Sequence, residues 1–170
     1  LKPYLEAQSE LLWIVVKRHP ECYNEVFHIK QSLNLNTTRR STGQRIEAET
    51  QVYLADSMGE MWLWYALSNA CFVGGSLNEP GGGHNILEPI ALHVTTVLDK
   101  NYFNFKTIVD EFVQADAVKV VEDAEQAAAL LMTLLEDTEQ ANTLNQAAQK
   151  IMQLNTGSLK KHIQVIDAYL

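Results

Sequence analysis

Four short stretches carry residue types able to hold an anionic ligand: Lys17-Arg18-His19, Met58-Gly59-Glu60, Gly74-Gly75-Ser76, and Gly82-Gly83-His84-Asn85 with Glu88 beyond it. Arginine can pair with a phosphate through two parallel hydrogen bonds, and an adjacent histidine can donate to phosphate or base. A glycine loop running into a helix start presents backbone N–H groups at the positive end of the helix dipole, a combination suited to phosphate or carboxylate. A carboxylate such as Glu88 can accept both hydroxyls of a ribose. Each stretch also has a plainer reading. Arg18 could form a surface ion pair while His19 caps a turn. Glu60 is a favourable charge in a first helical turn. Asn85 is a good N-cap, and Glu88, three residues on, can reach back to it. Five of the chain's eight glycines fall within residues 74–83. They could mark a flexible surface loop, or the room that a strand and a helix need to pack closely.

Other chemistries find no support. There is neither a Walker lysine nor a GxGxxG pattern, so neither ATP nor NAD is indicated. No His/Cys/Asp group has metal-ligand spacing, and Cys22 and Cys71 form no CxxC; both read as reduced thiols, with Cys71 in the core. His28, His93 and His162 are scattered, as surface or packing residues are. A net charge of -8 argues against general nucleic-acid binding. That charge is uneven: residues 1–45 hold seven Lys/Arg and four Glu, residues 46–170 six Lys/Arg and seventeen Asp/Glu. An anion is therefore easier to hold near Lys17, Arg18, Arg39, Arg40 and Arg45. The apolar fraction of 46% and mean hydropathy of -0.13 fit one soluble globular domain with a sizeable core. No apolar run approaches the roughly 20 residues of a membrane span, and the N-terminal residues are not expected to be a signal peptide. A chain beginning at Leu1 is expected to be a piece of a longer protein.

The elements that would position these residues alternate between strand and helix. Leu1–Glu10 reads as the end of a helix. Leu11–Val16 (LLWIVV) has the unbroken apolar character of a central parallel strand. Pro20 suits a helix start, and Glu21–Gln31 follows as a helix with Val26, Phe27 and Leu33 inward. Leu35–Arg39 is a weak strand, Arg40–Glu49 a polar loop and Gln51–Ala55 a strand. Glu60–Ser68 is a helix, and Ala70–Val73 a short buried strand. Helix Ile86–Leu92, strand Val94–Leu98, helix Phe105–Phe112 and strand Ala117–Val121 come next. Helices Asp123–Leu135 and Glu139–Leu154 follow, with Asp137 or Thr138 as cap of the second. Ser158 caps a last helix carrying Ile163, Ile166 and Leu170. Trp13, Trp62 and Trp64 fall in core elements. This alternation predicts an α/β fold, a parallel sheet with helices on both faces. Ligands bind such sheets at the carboxyl ends of the strands, where the four stretches above are expected to meet in one crevice.

The ordered series Arg18-His19-Pro20-Glu21, Asp56-Ser57-Met58-Gly59-Glu60-Met61, Phe72-Val73-Gly74-Gly75-Ser76 and Gly82-Gly83-His84-Asn85-Ile86-Leu87-Glu88-Pro89 resembles one family. So does Asn104-Phe105 further on. It is similar to the C-terminal half of the bacterial 3-deoxy-D-manno-octulosonic acid (Kdo) transferases, which build lipopolysaccharide. The resemblance implies a Rossmann-like half of a GT-B glycosyltransferase, here without that half's own first strand. It implies binding of the donor CMP-Kdo, with no cofactor and no bound metal. The partner half would carry the catalytic carboxylate, receive the lipid A precursor and sit at the cytoplasmic face of the inner membrane, so no catalytic residue is expected in this chain. By the same resemblance the donor meets Arg18, His19, Met58, Gly59, Glu60, Asn85, Ile86, Leu87 and Glu88, with Glu88 on the ribose. Ser76, Gly83 and His84 are further candidates.

The chain departs from the family pattern in three places. Lys17 stands where proline is usual, an extra glycine precedes His84, and Asp99-Lys100 replaces a Gly-Pro pair, so that loop is given no donor contact. Two other readings stay open: the donor half of a GT-B glycosyltransferase or epimerase that uses a UDP-sugar, and a non-catalytic Rossmann-like interaction domain.

Overall fold

The computed structural model describes residues 1–17, 23–75 and 81–155. Arg18–Cys22, Ser76–Pro80 and the helix expected after Ser158 lie outside the described residues. The chain divides into two compact units, Leu1–Leu67 and Ser68–Leu170.

In the first unit β1 (Trp13–Val16), β2 (Thr37–Arg39) and β3 (Val52–Ala55) form a parallel sheet of order β1-β3-β2, with Val52 opposite both Trp13 and Thr37. The helices are α1 (Lys2–Ala7), α2 (Tyr23–Ser32) and α3 (Met61–Ala66). Every residue of central β3 is buried. Because strand side chains alternate between faces, Val52 packs with Leu5 and Leu35 on one side, while Tyr53 and Ala55 pack with Trp64 on the other. Three expectations fail, the first of them that β1 is a central strand: it lies at the edge of this three-stranded sheet and is half-buried throughout. Leu33 is 39% exposed and Trp62 is 51% exposed. In a helix of only six residues, Trp64 takes the core-facing position and Trp62, two residues earlier, points elsewhere.

The second unit holds β4 (Ala70–Val73), β5 (Thr95–Asp99) and β6 (Lys119–Val121), parallel and in the order β4-β5-β6. Its helices are α4 (Leu87–Ala91), α5 (Lys106–Gln114, entered through a 3-10 turn at Phe103–Phe105), α6 (Ala124–Glu136) and α7 (Thr138–Asn155). One face of the sheet, through Val73 and Leu98, packs on Ile86 and Ile90 of the α4 segment, Val109 and Phe112 of α5, and Ala148 and Ile151 of α7. The other, through Val97 and Val121, packs on Ala127 and Leu134 of α6 and Leu144 of α7. Asp137 caps α7 as expected, and Asp123, expected as the first residue of its helix, is the cap of α6. Asp123 Oδ1 accepts the Gln126 N–H at 2.8 Å, and Asp137 Oδ1 accepts that of Gln140 at 2.9 Å. The Cys71 thiol lies 3.7 Å from the Thr96 hydroxyl, and burial pushes it up to about 12. Among the described residues no helix is long and apolar enough to cross a membrane, and no group of three His/Cys/Asp/Glu could hold a metal ion.

Phe112 is 2% exposed at the centre of the second unit's larger core. Truncation to alanine should cost about 3–5 kcal/mol in urea denaturation. Trp62→Ala, at an exposed position, should cost less than about 1 kcal/mol.

Candidate functional site

The glycine loop of the second unit is gripped by the chain around it. Gly75, Gly81, Gly82 and Gly83 all have positive φ, and those at Gly75 (91°) and Gly82 (112°) suit glycine far better than any L side chain. Gly83 donates its N–H to the Gly75 carbonyl at 3.1 Å. Gly82 donates to the Asn101 carbonyl and accepts from the Asn104 N–H, both at 3.1 Å. The space beside these residues is filled. A Cβ on Gly82 would lie 2.1 Å from Asn104 Nδ2, and one on Gly83 would lie 3.1 Å from the Tyr102 Cα. Beside Gly75 the His84 ring occupies the corresponding place, 2.5 Å from where a Cβ would stand. The Gly82 and Gly83 amides are therefore committed within the protein. They do not form an open phosphate cradle, and the Gly82–Gly83 pair is packed rather than loose.

Two residues beyond Gly83, Asn85 opens the α4 segment. Its Oδ1 accepts the Leu87 N–H at 3.0 Å, so it caps the helix as its type suggests. Glu88 does reach back, but to the side chain: Asn85 Nδ2 lies 3.4 Å from Glu88 Oε1. The helix has five residues, and the field at its start is that of little more than one turn. Ile86 is 1% exposed with its side chain in the core, so only its backbone can face a ligand. Leu87 and Glu88 are half-buried.

In the first unit the carboxyl end of β3 is tied by two arginine–carboxylate pairs. Asp56 is buried. Its Oδ2 accepts from Arg39 Nε and Nη2, each at 2.7 Å, and from the Ser41 hydroxyl at 2.6 Å, while Oδ1 accepts the Ser41 N–H at 2.8 Å. Burial opposes ionisation, but the Ser41 hydroxyl and amide and the Arg39 guanidinium outweigh it and hold the carboxyl below its ordinary value. Arg39 also bonds Asn24 Oδ1 and lies over the Phe27 ring. Arg40 grips Glu60 with two bonds, Nη2 to Oε1 at 2.7 Å and Nε to Oε2 at 3.1 Å, and lies over the Trp64 ring. Bonds from Arg40 and then from the Ser57 hydroxyl bring Glu60 down to about 2. Arg39 and Arg40, expected to attract an anion, are thus paired within the fold. Gly59 turns the chain into α3 at φ 79°, and exposed Met58 receives the Tyr23 hydroxyl on its sulfur at 3.5 Å.

No family model matches the chain. The crystal structure of the C-terminal CMP-Kdo binding domain of WaaA from Acinetobacter baumannii matches with a TM-score of 0.88 and 59% identity, over 90% of this chain and 79% of that one. The 3-deoxy-D-manno-octulosonic acid transferase of Haemophilus influenzae is 36% identical over 167 residues, which cover 98% of this chain and 39% of that protein. This chain belongs to the Kdo transferase family. The transferase of Bordetella pertussis is 26% identical over 171 residues, 100% of this chain and 40% of that protein. The chain thus spans about two fifths of the length of these curated Kdo transferases.

Of the residues that the likeness to Kdo transferases singles out, Arg18, His19 and Ser76 lie outside the described residues. Asn85 and Glu88 are brought into contact, and His84 is seated against Gly75. What sequence reasoning did not foresee is that the turn 99–104, expected to make no donor contact, meets Gly82 and Gly83. Asn101, Tyr102 and Asn104 are the other jaw of the glycine clamp. A faint signal exists: Asn104-Phe105 belongs to the family pattern, and its purpose here is partly to meet Gly82. A cleft of about 360 Å³ lies among Asp116, Lys119, Asp137, Glu139, Gln140 and Thr143. It sits at the amino end of β6, away from the strand ends where such sheets bind ligands, and contains none of the expected residues.

Gly82→Ala should destabilise the second unit by more than the roughly 1–2 kcal/mol of a left-handed L residue. Adding Asn104→Ala should recover part of that loss in a double-mutant cycle read by chemical denaturation. In acid, the sign follows from the lowered Glu60 carboxyl. The folded state binds fewer protons, so its contribution is complete above the ordinary value of 4.5 and lost as pH falls toward about 2. Glu60→Gln should flatten the acid limb of the first unit's stability over that window, and added salt should shrink the effect because the pair is exposed.

Proposed function

We propose that this chain is the donor-binding domain of a Kdo transferase and holds CMP-Kdo while Kdo passes to a hydroxyl of a lipid A precursor. The observation that carries the reading is the 59% identity to a solved CMP-Kdo binding domain across 90% of this chain. In the transfer, the bond between the Kdo anomeric carbon and the CMP phosphate oxygen breaks, and CMP leaves with the electron pair. The acceptor oxygen forms the new glycosidic bond and gives its proton to a general base that we place outside this chain, in the partner half at the inner membrane. No cofactor is called for, because the donor already carries the activated group.

The roles assigned to this chain are binding and leaving-group stabilisation. Glu88 is half-buried and has one oxygen weakly engaged by Asn85, and its carboxylate is of the type that suits a two-point contact with a ribose. Asn85–Leu87 would meet the nucleoside largely through backbone, since the Ile86 side chain is committed to the core. Glu60 is held by Arg40 and Ser57, and Met58–Glu60 is therefore assigned backbone contacts as well. Arg18 and His19, assigned to the phosphate by family likeness, would steady the departing CMP electrostatically.

Calorimetric titration of the chain with CMP and with UDP-sugars tests this. CMP should bind and UDP-sugars should bind at least tenfold more weakly, a difference of about 1.4 kcal/mol. Glu88→Gln should lose about 1–3 kcal/mol of CMP affinity with an almost unchanged melting temperature. Preference for a UDP-sugar would favour the wider GT-B reading, and absence of any nucleotide binding would favour an interaction domain.

A further inference from the structure

Asp99 is the last residue of β5, the central strand of the second unit, and is 1% exposed. Its Oδ1 accepts the Asn101 N–H at 2.7 Å, which closes a tight turn directly beyond the strand. The Asn101 carbonyl receives the Gly82 N–H, and the Gly82 carbonyl receives the N–H of Asn104. Tyr102 backbone, inside the same turn, fills the space beside Gly83. From Gly83 the chain passes through His84 to Asn85, which caps α4 and touches Glu88. An unbroken run of contacts therefore leads from the Asp99 carboxylate to the segment assigned to the nucleoside.

The other Asp99 oxygen, Oδ2, is buried and has no hydrogen-bond partner among the described residues. A carboxylate satisfied on one side only is a poor choice for stability at the end of a buried strand, where Val or Ile would serve better. What Asp supplies and they cannot is an acceptor for Asn101. Residues that break a local rule in this way concentrate where a fold serves a site. Lys100, next along the chain, has its ammonium bonded to Glu122 and meets Asp99 only through its charge, so the Asp99 oxygens take no hydrogen bond from it.

We infer that Asp99 is a positioning residue for the donor segment: it sets the 99–104 turn, which sets the glycine loop, which sets Asn85–Glu88. The inference rests on the reading of that segment given under Proposed function.

Three variants separate positioning from mere stability. Asp99→Asn keeps an acceptor at the same reach, Asp99→Ser keeps a weaker one, and Asp99→Val removes it while suiting the strand. CMP affinity should stay within about threefold of the parent in D99N, fall further in D99S, and drop roughly tenfold or more in D99V. The Gly82 amide should exchange with solvent faster in the same order, even where D99V melts no lower than D99N. If D99V does not fold, the ranking of D99N above D99S carries the test. Parent-like CMP binding and Gly82 protection in D99V would overturn the inference, as would D99N losing as much affinity as D99V. Failure of the parent chain itself to bind CMP would overturn the donor reading and the ligand half of this inference with it. Gly82 exchange, which needs no ligand, would still decide whether Asp99 holds the loop.

Discussion

Three backbone hydrogen bonds, Gly83 to Gly75, Gly82 to Asn101 and Asn104 to Gly82, set the geometry on which the second unit's candidate site depends. They require positive φ at the glycines and contact distances that leave no room for a Cβ at Gly82 and only a tight fit for one at Gly83. They also use up the two amides most obviously suited to an anion. The Gly82–Gly83 pair is thereby held as a positioning element. Its product is the placement of Asn85 at the start of α4, where the side chain caps Leu87 and meets Glu88. Ile86 pins the same segment from below, since its side chain is part of the largest core cluster. A ligand contact built on Asn85–Glu88 is consequently fixed on both sides, by the clamp before it and the core beneath it. Such rigidity is what a binding constellation needs if affinity is not to be lost in ordering it.

The first unit reaches a comparable result with charge instead of glycine. Arg39 and Ser41 converge on buried Asp56, and Arg40 and Ser57 on Glu60, so the turn from β3 to α3 is held at both ends. The two pairs are not equal in weight. Asp56 is desolvated, and removing a partner would leave a buried charge uncompensated, which is strongly unfavourable. Glu60 and Arg40 are exposed, so their pair orients more than it stabilises. Between them Gly59 adopts a positive φ, and the backbone from Met58 onward is presented at the helix start.

Much of the fold could be read from local sequence, because the determining signals are local. The runs ending at Val16, Ala55 and Val73 form strands, and Asp123 and Asp137 cap the helices that follow them. The family could be read as well, from an ordered set of short motifs. The clamp could not, since Gly82 and its partners Asn101 and Asn104 are about twenty positions apart and nothing in their types requires them to meet. The pairing of Arg39 with Asp56 and of Arg40 with Glu60 was hidden for the same reason, so two of the basic residues near which an anion is expected are paired with carboxylates of the fold. Trp62 shows the limit of periodicity in a one-and-a-half-turn helix: with so few residues, which tryptophan faces inward is decided by tertiary packing, and Trp64 won.

The proposed contact puts the nucleotide on Asn85–Glu88 while Gly82 and Gly83 stay bonded behind it. Amide chemical-shift mapping of the chain during a CMP titration tests both parts at once. The predicted result is that the largest shifts fall on Asn85, Ile86, Leu87 and Glu88, with the Gly82 and Gly83 amides still protected from exchange at saturation. Shifts centred on Gly82 and Gly83 with loss of their protection, or no shifts in this region at all, would contradict it.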